Sequence, residues 1–316
     1  MYYYLKSSVS LWSIFFKNHY KDRIRKKLTT KRLNKSEALP IATWTVQQWR
    51  DGQLTEQEDR IVMEEPFEVR VNGRSLAAIM RTPGLQTDQE LAMGFLLAEG
   101  IITNPAQVRA IVRAKDKDGL PEENVLDVLM DTLPPGLFDD KADEGGRFER
   151  RFTVASSCGL CGKNSIEEVC RRIPSLPADN FKVSAQAIYS MPDSLRQAQA
   201  VFERTGGLHG AGLFTAEGQL LLLREDIGRH NAVDKLIGRM ALDGHFPLPG
   251  YVLLVSGRVS FEIVQKALAA QIPVIAAVSA PSSLALELAE ETGISLIGFL
   301  RDHHMNVYTH GYRIIG

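Results

Sequence analysis

The chain of 316 residues carries 37 Lys and Arg against 38 Asp and Glu, a formal net charge of −1. That balance gives no global pull toward nucleic acid, so any anion site must be local. With 44% hydrophobic and 24% charged residues the composition is that of a soluble protein long enough for two domains, and no apolar run reaches the length of a membrane span.

The first forty residues stand apart. Met1 to Phe16 is aromatic and partly apolar, and Lys17 to Lys35 is basic with Asp22 its only acid. A signal peptide has the reverse order, charge before apolar core. The segment reads as a poorly ordered extension outside the fold, with a surface-seeking basic helix as the other reading. From Arg60 the pattern tightens. Ile61–Val71 and Ser75–Met80 are predicted as a hairpin around Asn72-Gly73. A helix is predicted over Asp88–Glu99, with Thr87 as N-cap, Gly100 near its end, and Leu91, Phe95 and Leu97 on its buried face. Asn104–Val112 reads as a second short helix and Val125–Met130 as a strand. Leu133–Gly146, with two prolines and several acids, marks a loop and a soft boundary.

Phe148–Ala155 is predicted as a strand running into Ser156-Ser157-Cys158-Gly159-Leu160-Cys161-Gly162-Lys163. A helix opens at Ser165, which has capping-box spacing to Glu168. The two thiols therefore lie on a glycine-flanked turn ahead of a helix N-terminus. The helix dipole and Lys163 both favour the thiolate. Half of a zinc site is one alternative, but it needs two further ligands. Cys170, the third and last cysteine, suits a buried packing place on the helix better. A thioredoxin-like redox pair is the other, although no aromatic or proline flanks the thiols. Three cysteines, one pair at redox spacing, fit a reducing cytoplasm rather than a disulfide framework.

Beyond the thiols a long helix is predicted over Ser184–Thr205, broken or preceded by Pro192. A second hairpin follows, Leu208–Thr215 with Gln219–Arg224 around Glu217-Gly218. Then come a helix over Arg229–Leu242, a strand over Tyr251–Val255, a helix over Val259–Ala270 and a strand over Val274–Val278. A helix over Ser282–Glu291 and a strand over Ile294–Gly298 complete the series. Tyr251–Val255 is uninterruptedly apolar, the mark of a strand covered on both faces. The alternation predicts an α/β layered domain with partly parallel strands.

Three clusters fall at strand ends of this half, where open α/β sheets place ligands. Thr205–Gly212 holds four glycines and His209; it reads either as a close backbone approach at a site or as small residues packed on a helix. Glu225–Lys235 is dense in polar groups. Asp226 is placed to cap a helix, Arg229 and His230 to face a ligand, and Asp234 and Lys235 to be solvated. Ser256-Gly257-Arg258-Val259-Ser260 joins a buried strand to a helix start, a ready phosphate cradle. It lacks the G-x-x-x-x-G-K pattern of a nucleoside triphosphatase loop. Phe299–Asn306 follows the last central strand. Its adjacent His303 and His304 would point to opposite faces of a strand, which favours anion or base recognition over metal.

Taken together, Ser157–Gly162, Thr205–Ala211, Glu225–Lys235, Ser256–Glu262 and Gly298–Arg301 resemble the FdhD/NarQ family, accessory sulfurtransferases of formate dehydrogenase. The resemblance runs in order from about Arg60 to the C-terminus and leaves out the first forty or so residues. It implies a three-layer α/β main domain like cytidine deaminase with a mixed sheet, plus a smaller α+β domain. The corresponding division is a basic extension over 1–40, a smaller α+β region over 60–146 and the main domain over 147–316. It implies a sulfurtransferase that takes sulfur as a persulfide on Cys158, with Cys161 as partner, from a cysteine desulfurase. The acceptor is the molybdenum cofactor, a bis(molybdopterin guanine dinucleotide), on which formate dehydrogenase depends. The family's cofactor-binding stretch matches Phe299, Leu300, Arg301, Asp302, His303 and His304. Ser256, Gly257, Arg258, His209, Arg229 and His230 are the further candidates for contact, with GDP as a binding fragment and no metal held by protein ligands. A zinc deaminase is excluded by the missing H-x-E and P-C-x-x-C order. The expected partners are the desulfurase and formate dehydrogenase in the cytoplasm, with no nucleic acid and no membrane span; a homodimer is compatible with these features. A thiol–disulfide oxidoreductase and a non-catalytic cofactor chaperone are the competing functions.

Overall fold

The computed structural model describes residues 39–138, 170 and 173–316. The strand expected over Phe148–Ala155, the thiol turn with Cys158 and Cys161, the helix from Ser165 and residues 1–38 of the basic extension lie outside the described residues. Residues 40–316 form one unit. It opens on a feature absent from the sequence reading, an antiparallel hairpin of β1 (Ile41–Arg50) and β2 (Gln53–Val62). Most of its side chains are exposed on both faces, so no apolar alternation announces it.

β3 (Glu65–Val71) and β4 (Arg74–Arg81) form the expected hairpin, and Asn72 and Gly73 take φ of 47° and 79°. Those left-handed values suit the turn that matches strand twist. Phe67, Val69 and Val71 alternate into the core. α1 (Leu85–Ala98) starts earlier than expected, at Leu85 with Gly84 as N-cap; Thr87 lies inside the first turn and donates from Oγ1 to the Gly84 carbonyl (2.9 Å). The helix expected over Asn104–Val112 is corrected to a single 3-10 turn, Pro105–Gln107, and a strand, β5 (Ala110–Lys115). Asn104 and Gln107 cap that turn reciprocally, and β-branched Ile111 and Val112 suit the strand. β5 pairs with β6 (Pro121–Leu129) in a sheet ordered β4-β3-β6-β5.

Next come β7 (Val183–Ser184), α2 (Ala185–Ala198) and α3 (Ala200–Thr205). Ser184 caps α2 by accepting from the Ala187 N–H (3.1 Å). The helix breaks at Gln199 and not at Pro192, which stays inside α2. The main sheet is built from β8 (His209–Phe214), β9 (Leu220–Asp226), β10 (Val252–Val255), β11 (Val274–Ala277), β12 (Ser295–Arg301) and β13 (His304–Val307). Its order is β13-β12-β11-β10-β8-β9, with β10, β11 and β12 parallel and the others antiparallel to their neighbours. α4 (Arg229–Leu242), α5 (Phe261–Ala269) and α6 (Ser283–Thr292) connect it, and β14 (Ile314–Ile315) pairs in parallel with β7.

Side-chain alternation makes this three layers. Val252, Leu254, Val274 and Ala276 pack with Ile188, Met191 and Leu195 of α2. Leu253, Val255, Ile275 and Ala277 point the other way, into the core of α4, α5 and α6. The apolar run through β10 is thus buried on both faces as its composition predicts. α1 crosses α4 at close range. A methyl at Gly94 would overlap the Asp234 carbonyl oxygen, and one at Gly238 the Glu90 carbonyl oxygen. Glycine is required on both helices for the backbones to meet. Arg224 of β9 reaches across to Glu90 of α1 (Nη2–Oε1 2.7 Å), tying the main sheet to that helix.

Candidate functional site

Strand direction gathers the polar clusters. β8 runs against β10, and β9 against β8. The start of β8 and the ends of β9, β10, β11 and β12 therefore share one edge, from which α4, α5 and α6 also begin. Open α/β sheets bind ligands along such an edge.

His209, Arg229, His230 and the Ser256–Ser260 loop meet there. Gly257 brings the loop past the imidazole: a methyl on it would stand 3.2 Å from His209 Nδ1 and 3.6 Å from Arg229 Cδ. Arg229 Nε is buried and has no hydrogen-bond partner among the described residues. Arg258 is exposed. Ser256 does not face a ligand with its hydroxyl, which accepts from the Gly210 N–H (2.9 Å) while its own N–H donates to the Gly210 carbonyl (3.0 Å). It splices β8 to β10. α5 starts at Phe261 rather than Val259, which is held extended in a parallel bridge to Pro281 with its N–H donating to the Ala280 carbonyl (3.1 Å).

Ser260, at the end of the cradle loop, and Glu262, just beyond it, complete the cluster. His230 Nε2 lies 2.8 Å from Ser260 Oγ and 3.2 Å from Glu262 Oε2, and Ser260 Oγ donates to the same carboxylate oxygen (2.9 Å). The His230 hydrogen bond holds the Glu262 carboxyl down at about 2. His209 is also pushed down, first by burial and then by the charges of Arg229, His230 and Arg258. The signal for Ser260 and Glu262 lies in their motif, but their bonding to His230 needs α4 and α5 side by side.

The Glu225–Lys235 junction divides in two. Asp226 is fully buried and holds the junction together, rather than simply capping a helix whose N-cap is Gly228. Its carboxylate accepts from the Thr82 N–H (3.0 Å), Lys235 Nζ (2.6 Å), the Gly228 N–H (2.8 Å) and Asn231 Nδ2 (2.8 Å). Asp234 and Lys235, expected to be solvated, are both buried. Asp234 faces Lys266 at 2.8 Å, and burial pushes its carboxyl up to about 6. Only Arg229 and His230 of this segment turn toward the edge cluster. The glycines after His209 serve packing: side chains of Gln199, Leu195 and Phe214 fill the space beside Gly210 and Gly212.

Phe299–His304 forms the tip of a hairpin. Phe299 takes φ 53° at a bulge between Gly298 and Arg301. Leu300 is buried in the core against α2, so its side chain is not a ligand contact. Asp302 and His303 make the turn with φ of 49° and 55°, and His304 pairs with Arg301 across it. The two histidines are thus not neighbours on one strand; His303 sits edge-on to Tyr189 with ring centroids 5.4 Å apart. Arg301 and His304 are exposed. The Ser279–Ser282 loop stands between this hairpin and the His209 cluster, bonded to Phe299 on one side and Val259 on the other. The structure therefore sets two cationic groups along one edge, not one contact set. Cys170 is half-buried against the core, and burial raises its thiol.

Among known proteins, the chain is 49% identical over 270 residues to a sulfur carrier protein FdhD of Streptomyces avermitilis, covering 84% of this chain and 92% of that protein. It is 50% identical over 268 residues to the protein of the same name from Mycolicibacterium paratuberculosis, covering 83% and 94%. A solved structure from Desulfotalea psychrophila, named as a candidate formate dehydrogenase accessory protein, superposes with TM-score 0.66 at 24% identity. It covers 88% of this chain and 100% of that one, and so shares the fold. The FdhD/NarQ family model matches residues 62–315, from the end of β2 through both cationic groups to β14, and the chain belongs to that family.

Proposed function

We propose that this chain is a sulfur carrier serving formate dehydrogenase, with Cys158 as the sulfur-bearing residue and Cys161 as its partner. The observation that carries the reading is the 49% identity to a protein named for sulfur carriage, joined to a Cys-Gly-Leu-Cys sequence within the family's span. The Cys158 thiolate attacks the outer sulfur of a cysteine desulfurase persulfide, and the desulfurase cysteine leaves as thiolate. The S–S bond of the Cys158 persulfide then breaks, Cys158 leaves as thiolate, and the outer sulfur passes to the acceptor substrate, molybdenum bis(molybdopterin guanine dinucleotide), whose reduced form supplies the two electrons that make it sulfide. The sheet edge suits that substrate chemically. Arg229 has a buried Nε free to bond an oxyanion, and Arg258 and Arg301 offer forked donors for pyrophosphate. Two cationic groups on one edge suit a ligand with two nucleotide ends, of which GDP is a fragment. Free thiols of this kind belong in the reducing cytoplasm.

Mass spectrometry after incubation with a cysteine desulfurase and cysteine tests the reading. One added sulfur is expected on the wild type and none on Cys158→Ala. A wild-type chain that gains no sulfur overturns it.

A further inference from the structure

His209 is the one member of the edge cluster whose charge is set against its neighbours. Arg229 and His230 face it from the first turn of α4, and Arg258 from the loop after β10. The acid that bears on it is Asp226 at the end of β9, and that carboxylate is already engaged by Lys235, Asn231 and two backbone N–H groups. Glu262 of α5 is turned to His230 and Ser260. Neither ring nitrogen of His209 is hydrogen-bonded among the described residues. Gly257 keeps the space beside Nδ1 clear of a side chain, next to the unpartnered Arg229 Nε.

We propose that binding of a phosphate-type anion between Arg229 and Arg258 is coupled to uptake of a proton from solvent, and that His209 receives that proton. This rests on the reading of the edge as the seat of the nucleotide phosphates. In the ligand-free chain, burial first and then the positive charges of Arg229 and Arg258 hold His209 below its ordinary range, so it is neutral at neutral pH. An anion seated among those cations cancels their field and offers an oxygen to the protonated ring. Both effects favour the imidazolium. By linkage the site then binds anion more tightly as pH falls from neutral, and affinity declines as pH rises through the value that His209 takes in the complex. The imidazole adds a third cation when the anion is present and withdraws it when the site is empty, which spares the free protein a cluster of mutually repelling charges. His209 is on this account a residue that tunes binding, not one that touches the transferred sulfur.

Calorimetry on the full chain with pyrophosphate and with GDP, at one near-neutral pH in buffers of different ionisation heat, counts the protons taken up. Uptake approaching about one proton per anion is expected for the wild type. His209→Asn, which keeps a hydrogen-bonding side chain without titrating, should still bind but take up none. The histidine ring resonances of the wild type, followed against pH, should show the His209 midpoint rising when pyrophosphate is added; this measurement stands even if the variant does not fold. Binding without proton uptake, or uptake that survives in His209→Asn, overturns the proposal and leaves the phosphate reading standing. Absence of binding by both probes overturns the two together.

Discussion

At the scale of single residues, the site is a contrast between exposed and buried cations. Arg258 and Arg301 are both exposed, so under the proposed binding each would contribute a solvent-competed hydrogen bond worth about 1 kcal/mol, less than tenfold in affinity. Calorimetry with GDP should show that modest loss for Arg258→Ala or for Arg301→Ala, according to which group holds the fragment. Unchanged affinity in both variants would remove the two loops from the nucleotide site. Glu262 gives a second expectation. Its carboxyl sits at about 2 in the folded chain against 4.5 as an ordinary side chain. A depressed value means that its stabilisation is complete above the ordinary range and is lost as pH falls toward 2. Because the side chain is 31% exposed, solvent screening trims the effect to about 1–2 kcal/mol. Melting curves of the wild type should therefore fall more steeply with acid than those of Glu262→Gln, and parallel curves would show the pair to be energetically idle. His209, Arg229 and Arg258 were legible in the sequence because glycine and charge concentrate where a strand gives way to a helix. The His230–Ser260–Glu262 bonding was not, since it joins two helices separated in sequence by a whole strand.

Among the elements, the crossing of α1 and α4 carries the sharpest constraint. Gly238→Ala would drive a methyl into the Glu90 carbonyl oxygen, and Gly94→Ala one into the Asp234 carbonyl oxygen. Neither obstacle is a flexible side-chain end, so the helices must separate, at a cost of about 3 kcal/mol or more. Gly250→Ala is the control, having no atom within 4 Å of the added methyl. Denaturant titration should show a large loss for the two helix variants and almost none for the control; three equal curves would mean that the crossing yields easily. Sequence shows a glycine inside a helix but not what comes against it. Other elements were plain. The helix Arg229–Leu242 has the ends expected of it, and Asn72-Gly73 supplies a turn that few other pairs allow. The failures share a cause. Val108, Ile111 and Val112 mimic a helical stripe across a 3-10 turn and a strand, and pairing with β6 decides between them. The β1–β2 hairpin is exposed on both faces, so its sequence carries no burial period to read.

Over the whole molecule, the proposed binding groups and the chain's tightest clamp occupy opposite edges of the main sheet. The cationic groups stand where β10 and β12 end. Where β12 begins, Arg313 is buried at 1% exposure and closes the chain on itself. It donates to Asp179 (Nη2–Oδ2 2.7 Å), to the Gly293 carbonyl (2.7 Å) and to Ser295 Oγ (3.1 Å), beside the pairing of β7 with β14. One guanidinium thus ties the segment before α2, the end of α6, the start of β12 and the C-terminus. The Arg313 hydrogen bond holds the Asp179 carboxyl below its ordinary range, so this clamp too weakens on acidification. Arg313→Ala leaves the Gly293 carbonyl without its donor, while Asp179 is 25% exposed and keeps the Phe181 N–H, so the cost is about 2–3 kcal/mol. For a unit of this size that is a fall of roughly 5 °C in Tm. Lysine cannot restore it, because a single ammonium does not span three acceptors set around a planar fork. GDP affinity, measured well below the lowered Tm, should stay at the wild-type value, since the clamp and the cationic groups sit at opposite ends of β12. A variant that lost affinity and stability in proportion would show that the two edges are coupled through the strand.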